Sequence, residues 1–157
     1  MGNEKNTSPG YAANLMLATL FGIGFFPTAP GTWASAFTLI IFWLLPEMSW
    51  AIELLLLVVI FLLGVKSSTR VEQVSERVDP GYIVIDEFIG MALVLITIPK
   101  SYVLYLFAFL LFRIFDIMKP MPVNQLQELP AGWGVMVDDV AAGIYALIIL
   151  QIGILIF

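Results

Sequence analysis

The sequence predicts an all-α membrane protein: a polytopic helical bundle of about five spans, with a short N-terminal helix and an amphipathic surface helix. Three observations carry that expectation. The chain is 61% hydrophobic and only 12% charged, against about 25% charged in a typical soluble domain. No charge at all occurs over residues 6–46 or 140–157. The apolar runs are separated by proline, glycine and charged clusters at intervals that suit helices crossing a bilayer. With 157 residues the chain has room for one domain, read as a polar tail over 1–10 and a single helical membrane domain over 11–157.

The elements follow in order. The start, MGNEKNTSPGY, is polar and acid-containing and is not expected to act as a signal peptide. It also fits the myristoylation pattern poorly, because Asn6 stands where Ser or Thr is wanted. Residues 11–26 are apolar but short and carry Gly22 and Gly24; an interfacial helix, a re-entrant helix and a short span all fit. Pro27, Pro30 and Gly31 then break the chain, and Thr32 is placed to cap a helix over 33–45. A second apolar helix is expected over 50–65, with Glu53 near its start. Over 66–79, KSSTRVEQVSERVD, charges surround a face of Val71, Val74 and Val78, which predicts a separate amphipathic surface helix. Pro80-Gly81 stops it. Further spans are expected over 81–99, 101–118 and 134–157. Pro120, Pro122 and Pro130 keep 120–131 out of a regular helix.

Composition also excludes chemistry. The chain has no cysteine and no histidine, so disulfides, zinc or haem ligation and any Cys or His nucleophile are out. A net charge of −5 offers no basic surface for nucleic acid.

If the spans alternate, one face collects 27–32, the 66–80 segment, Asp86-Glu87, Arg113 to Lys119 and Asp138-Asp139. Five Lys and Arg lie there (Lys66, Arg70, Arg77, Arg113, Lys119) and one, Lys100, on the other face. The excess of positive charge makes the first face cytoplasmic. All the polar groups with chemical potential land on it.

Asp86 and Glu87 lie within the stretch GYIVIDEFIGMALVLITIP, directly before the eleven uncharged residues 88–98. Each charge costs roughly 2.5–3.5 kcal/mol at bilayer depth, so a metal ion, a cationic partner or a water-filled site must offset them. Arg113, Asp116 and Lys119 follow at i, i+3 spacing in LLFRIFDIMKPMP, roughly along one side of a helix. Asp138 and Asp139 lie in GWGVMVDDVAAG. Each acidic pair has a glycine four residues on, Asp86 to Gly90 and Asp139 to Gly143. Two helices can approach closely over such a surface, so the two acid clusters are expected to face each other with Asp116 between.

Five carboxylates suit a hard cation, Mg²⁺ first, with Mn²⁺ or Ca²⁺ as further options. The expected ligands are Asp86, Glu87, Asp116, Asp138 and Asp139. Arg113 and Lys119 remain to hold an anion, Arg in a bidentate fashion that suits phosphate. The helix start at Thr32 and Ser35 favours an anion as well. Together these groups point to phosphoryl chemistry. Each feature alone has a plainer reading: a structural Asp–Arg pair, a helix start, a solvated charged face. The acids alone also fit a relay in a small ion- or proton-coupled transport component, or a buried ion network in an assembly subunit. Convergence of three segments on one face favours the metal-assisted site.

These residues resemble the phosphatidylglycerophosphatase A family. The resemblance rests on GFFPTAPGTWAS, VIDEFIGM, FRIFDIMKPMPV and GWGVMVDDVAAG, in that order, over most of 20–145. It implies an all-α enzyme of the bacterial inner membrane that uses Mg²⁺ to remove the terminal phosphate of phosphatidylglycerophosphate, leaving phosphatidylglycerol. It implies catalytic roles for Asp86, Glu87, Arg113, Asp116, Lys119, Asp138 and Asp139, with Thr32, Ser35, Arg113 and Lys119 toward phosphate. Ala34 and Ala131 stand where the family pattern has glycine; every charged position is present. The haloacid dehalogenase pattern DxDx[TV] and the CDP-alcohol phosphotransferase pattern are both absent. Whether a carboxylate acts as nucleophile or as general base is left open by the sequence, as is the number of metals.

Overall fold

A computed structural model describes residues 9–156, and among them every regular element is helical. The helices are α1 (Pro9–Ala18), α2 (Pro30–Leu44), α3 (Trp50–Ser75), α4 (Ile85–Leu95), α5 (Tyr102–Met118), the single turn α6 (Val123–Leu126) and α7 (Gly132–Ile156), with a 3₁₀ turn at Ile23–Phe25. Most of the expected polar tail, residues 1–8, lies outside the described residues, but Pro9 and Gly10 already belong to α1.

Two helices, α3 and α7, are long and apolar enough to cross a membrane. Barely more than a quarter of each is buried inside the protein, so their apolar side chains point outward rather than into a core. Leu55, Leu62, Leu106, Phe107, Ile148 and Leu155 are all exposed, a pattern that fits a lipid surround. The other expected spans are shorter: α2 has 15 residues, α4 has 11 and α5 has 17, against about 20 for a full crossing. The first apolar segment contains only the ten-residue α1, about 15 Å long. Gly22, at φ 99°, then turns the chain back in a conformation that glycine adopts without strain.

Two sequence expectations are corrected. The amphipathic helix over 66–79 is not separate: α3 runs unbroken from Trp50 to Ser75. No proline interrupts it, and Gly64 receives the end of the Met136 side chain instead of bending the helix. The shift from apolar to charged residues falls within one helix of about 39 Å. Thr32 is also not a cap. Pro30 occupies the first turn of α2 and Ala29, at φ 48°, is its N-cap residue, because a proline at the first helical position has no N–H to satisfy.

The bundle is organised around α4, which packs against α7, α2, α3 and α5. Ile85, Ile89 and Ala92 join one apolar cluster; Met91, Val94 and Leu95 join another. Eight of the eleven residues of α4 are buried. Whatever sits at the start of α4 is therefore held inside the bundle.

Candidate active site

Asp86 and Glu87 form the first turn of α4, where the positive end of the helix dipole favours carboxylates. Facing them on α7 is Asp139. One oxygen from each of the three can be chosen so that all lie within 4.8 Å of one another. Asp86 is 7% exposed and Asp139 is 2% exposed. Three carboxylates so close repel strongly at such burial, which is the arrangement a divalent cation relieves.

The two glycines set this separation. A Cβ on Gly90 would stand 2.5 Å from the carbonyl oxygen of Asp139, and one on Gly143 would stand 2.6 Å from the carbonyl oxygen of Gly90. Backbone thus meets backbone between α4 and α7, one turn below the acids on each side. Gly31, in the first turn of α2, does the same on the other flank. A Cβ there would collide with the Glu87 carboxylate and come within 3.1 Å of Arg113 Nη1.

The remaining charges divide into two pairs. Arg113 Nη1 donates to Asp116 Oδ2 and lies 4.0 Å from Glu87 Oε1. Lys119 Nζ donates to Asp138 Oδ2 at 2.6 Å, and Asp138 Oδ1 accepts the Asp139 N–H at 2.9 Å. Burial works against the Lys119 ammonium, but Asp138, Asp139 and Asp116 outweigh it and hold its pKa above the ordinary lysine value. Asp116 also stands beside Asp139, so it links the Arg113 pair to the carboxylate trio. Of the five acids named from sequence, Asp86, Glu87 and Asp139 make the trio; Asp116 and Asp138 are occupied by cations.

Four buried polar atoms here lack a protein partner: Asp86 Oδ1, Glu87 Oε2, Asp139 Oδ2 and Arg113 Nε. Buried groups are rarely left so without a purpose. Three orphaned carboxylate oxygens suit a hard divalent cation, and one orphaned guanidinium N–H beside them suits an anion. The Ser35 hydroxyl is spent, since it donates to the Gly31 carbonyl at 2.8 Å within the buried face of α2. Thr32, half-buried, sits one residue past Gly31 at the same helix start.

Sequence reasoning passed over two residues. Gly31 was read only as a breaker, although the Pro-Gly pair signals a close backbone approach. Asp79 is exposed, as a solvated charge is expected to be, yet it stands close enough to Lys119, Asp138 and Asp116 to feel their charges. The Asp79-Pro80-Gly81 turn leading into α4 was the available signal.

Comparison with known proteins finds one family and several relatives. The sequence model of the family described as phosphatidylglycerophosphatase A matches residues 16–154. A Haemophilus influenzae protein named phosphatidylglycerophosphatase A is 43% identical over 137 residues, covering 85% of this chain and 84% of its own length. An Escherichia coli protein of the same name is 33% identical over 131 residues, 82% of this chain and 76% of its own length. A Bacteroides thetaiotaomicron protein named as a candidate phosphatidylinositol-3-phosphatase is 36% identical over 146 residues, 88% of this chain and 91% of its own length. No solved structure matches.

Proposed function

The chain belongs to the phosphatidylglycerophosphatase A family, and on that premise we propose that it is a Mg²⁺-dependent lipid phosphatase that hydrolyses phosphatidylglycerophosphate to phosphatidylglycerol and phosphate. The observation that carries the reading is the trio Asp86, Glu87 and Asp139, with three orphaned oxygens beside an orphaned guanidinium N–H. The reaction breaks the P–O bond to the glycerol oxygen and forms one to a water oxygen; the water's protons pass to the leaving oxygen and to solvent.

Asp86, Glu87 and Asp139 are the residues that would hold Mg²⁺. When bound, the ion supplies positive charge against the phosphoryl oxygens. Arg113, held in place by Asp116, donates Nε–H to a phosphate oxygen and stabilises charge on the transferring group. Lys119, kept protonated by Asp138, adds a second positive charge on the same side. The start of α2 at Gly31 and Thr32 brings backbone up to the Glu87–Arg113 side of the site, and a phosphate oxygen is accommodated there by the helix dipole.

The setting is the bacterial inner membrane. α3 and α7 cross it, α2, α4 and α5 complete five passes as shorter or partial spans, and the site opens to the cytoplasmic side where Lys and Arg accumulate. The acyl chains stay in the leaflet while the phosphate enters between the starts of α4 and α2.

The test is release of inorganic phosphate by purified protein from phosphatidylglycerophosphate, with and without Mg²⁺, beside phosphatidylinositol 3-phosphate as second substrate. Mg²⁺-dependent release from phosphatidylglycerophosphate is expected. Faster release from the inositol lipid would move the substrate assignment toward the Bacteroides relative's name, and no release with any divalent cation would end the enzyme reading.

A further inference from the structure

Beyond the carboxylate site, the basic residues are unevenly engaged. Arg113 and Lys119 are paired with acids, and Lys100 donates to the carbonyls of Trp43 and Leu45 at the end of α2. Lys66 and Arg70, one turn apart on α3, make no ion pair among the described residues. In a chain of net charge −5, such a pair is a local reversal of field.

The two side chains line a cavity of about 370 Å³ between α1 and α3. Its other polar walls are Tyr11, Asn14, Thr69 and Gln73, and among the described residues no acid borders it. The cleft is fixed rather than a chance gap. Ser67 Oγ donates to Asn14 Oδ1 at 3.1 Å across the helices, and Thr69 Oγ1 accepts the Gly132 N–H at 3.0 Å, tying this level of α3 to the start of α7. Lys66 is the first charge on α3 after Glu53, directly where the apolar run of a membrane-length helix ends. That is the depth of lipid headgroups, where a basic pocket between helices meets anionic lipid.

We infer that the α1–α3 cleft at Lys66 and Arg70 is a second, non-catalytic site for the phosphodiester headgroup of an anionic phospholipid. Lys66 and Arg70 neutralise the phosphate, and the amides of Asn14 and Gln73 stand beside the rest of the headgroup. None of the cleft residues belongs to the carboxylate site, so its occupancy is read by binding and does not depend on turnover.

The experiment titrates detergent-solubilised full-length protein with short-chain phosphatidylglycerol, short-chain phosphatidylcholine and inorganic phosphate, following the thermal midpoint, which rises when a ligand binds the folded state. Phosphatidylglycerol is expected to raise it in the wild type and equally in Asp139→Asn. In Lys66→Gln/Arg70→Gln the same rise needs roughly thirty-fold more lipid, from about 1 kcal/mol per basic side chain at tenfold per 1.4 kcal/mol. Lys66→Arg retains the response. If the double variant fails to fold, Lys66→Gln alone carries the test with a loss of about five-fold. An equal, pair-dependent rise with inorganic phosphate would overturn the lipid assignment in favour of free phosphate. An equal response to phosphatidylcholine, or a response unchanged in the double variant, would overturn the site.

Discussion

Gly90→Ala tests whether the carboxylate trio is set by backbone contact between α4 and α7. The added methyl group would stand 2.5 Å from the Asp139 carbonyl oxygen and 2.5 Å from Phe112 Cε2. An unstrained carbon–oxygen contact needs about 3.3–3.6 Å, so the helices must separate by roughly 1 Å at this level. The obstacle is partly backbone, and no rotamer change relieves it. Overpacking of this kind costs about 1–3 kcal/mol, of which the better helix propensity of alanine returns up to about 1 kcal/mol. The larger effect falls on activity. Asp139 moves with its own carbonyl, and a 1 Å misplacement of a reacting group costs on the order of 100-fold. The assay is Mg²⁺-dependent phosphate release beside a thermal melt, with Gly153→Ala as the reference, because a methyl group there meets nothing within 4 Å. Gly153→Ala should be neutral or slightly stabilised and fully active. Wild-type turnover and stability in Gly90→Ala would refute the reasoning.

Four further outcomes are expected. Asp86→Asn, Asp139→Asn and Arg113→Ala each lower turnover by orders of magnitude while the protein still inserts and melts cooperatively, whereas Glu53→Gln, remote from the trio, leaves turnover unchanged. Chelation of divalent cations abolishes phosphate release and Mg²⁺ restores it, measured on one preparation. Lys119→Met strips the partner from buried Asp138 and lowers stability by about 3 kcal/mol, read by denaturant or thermal unfolding; Lys119→Arg keeps most of it. Ala131→Gly relieves a left-handed backbone at φ 55° and stabilises the protein by about 1 kcal/mol, visible as a higher thermal midpoint at unchanged turnover.

Ala131 illustrates what sequence could and could not give. The resemblance implies glycine there, and the backbone agrees, since a left-handed residue precedes the start of α7. Ala34, the other departure, is fully buried in α2, where a small side chain still fits. The acid-to-glycine spacing on α4 and α7 was legible because it depends on helical period alone. The distinction between Asp138 and Asp139 was not. Successive helical residues point about 100° apart, so once Gly143 fixes α7 against α4, Asp139 faces Asp86 and Glu87 and its neighbour turns to Lys119. That rotation is a tertiary fact. The continuity of α3 was hidden for a different reason: a change of composition along a chain looks like a boundary, yet here it records a change of surroundings along one helix.

The burial of α4 explains why charged residues at the edge of an apolar run are tolerated. Were Asp86 and Glu87 on a lipid-facing helix, each would carry a cost of roughly 2.5–3.5 kcal/mol. On α4 they are largely enclosed by protein, because α7, α2, α3 and α5 surround it. The helix dipole favours them, Arg113 lies 4.0 Å from Glu87, and Asp139 adds further negative charge. That third carboxylate makes no sense as charge compensation. Arg113 is shared between Asp116 and Glu87, and Lys119 answers Asp138, so Asp86 and Asp139 have no ion-pair partner of their own among the described residues. A structural ion network would balance its charges; on the function proposed above, a bound divalent ion would complete this one.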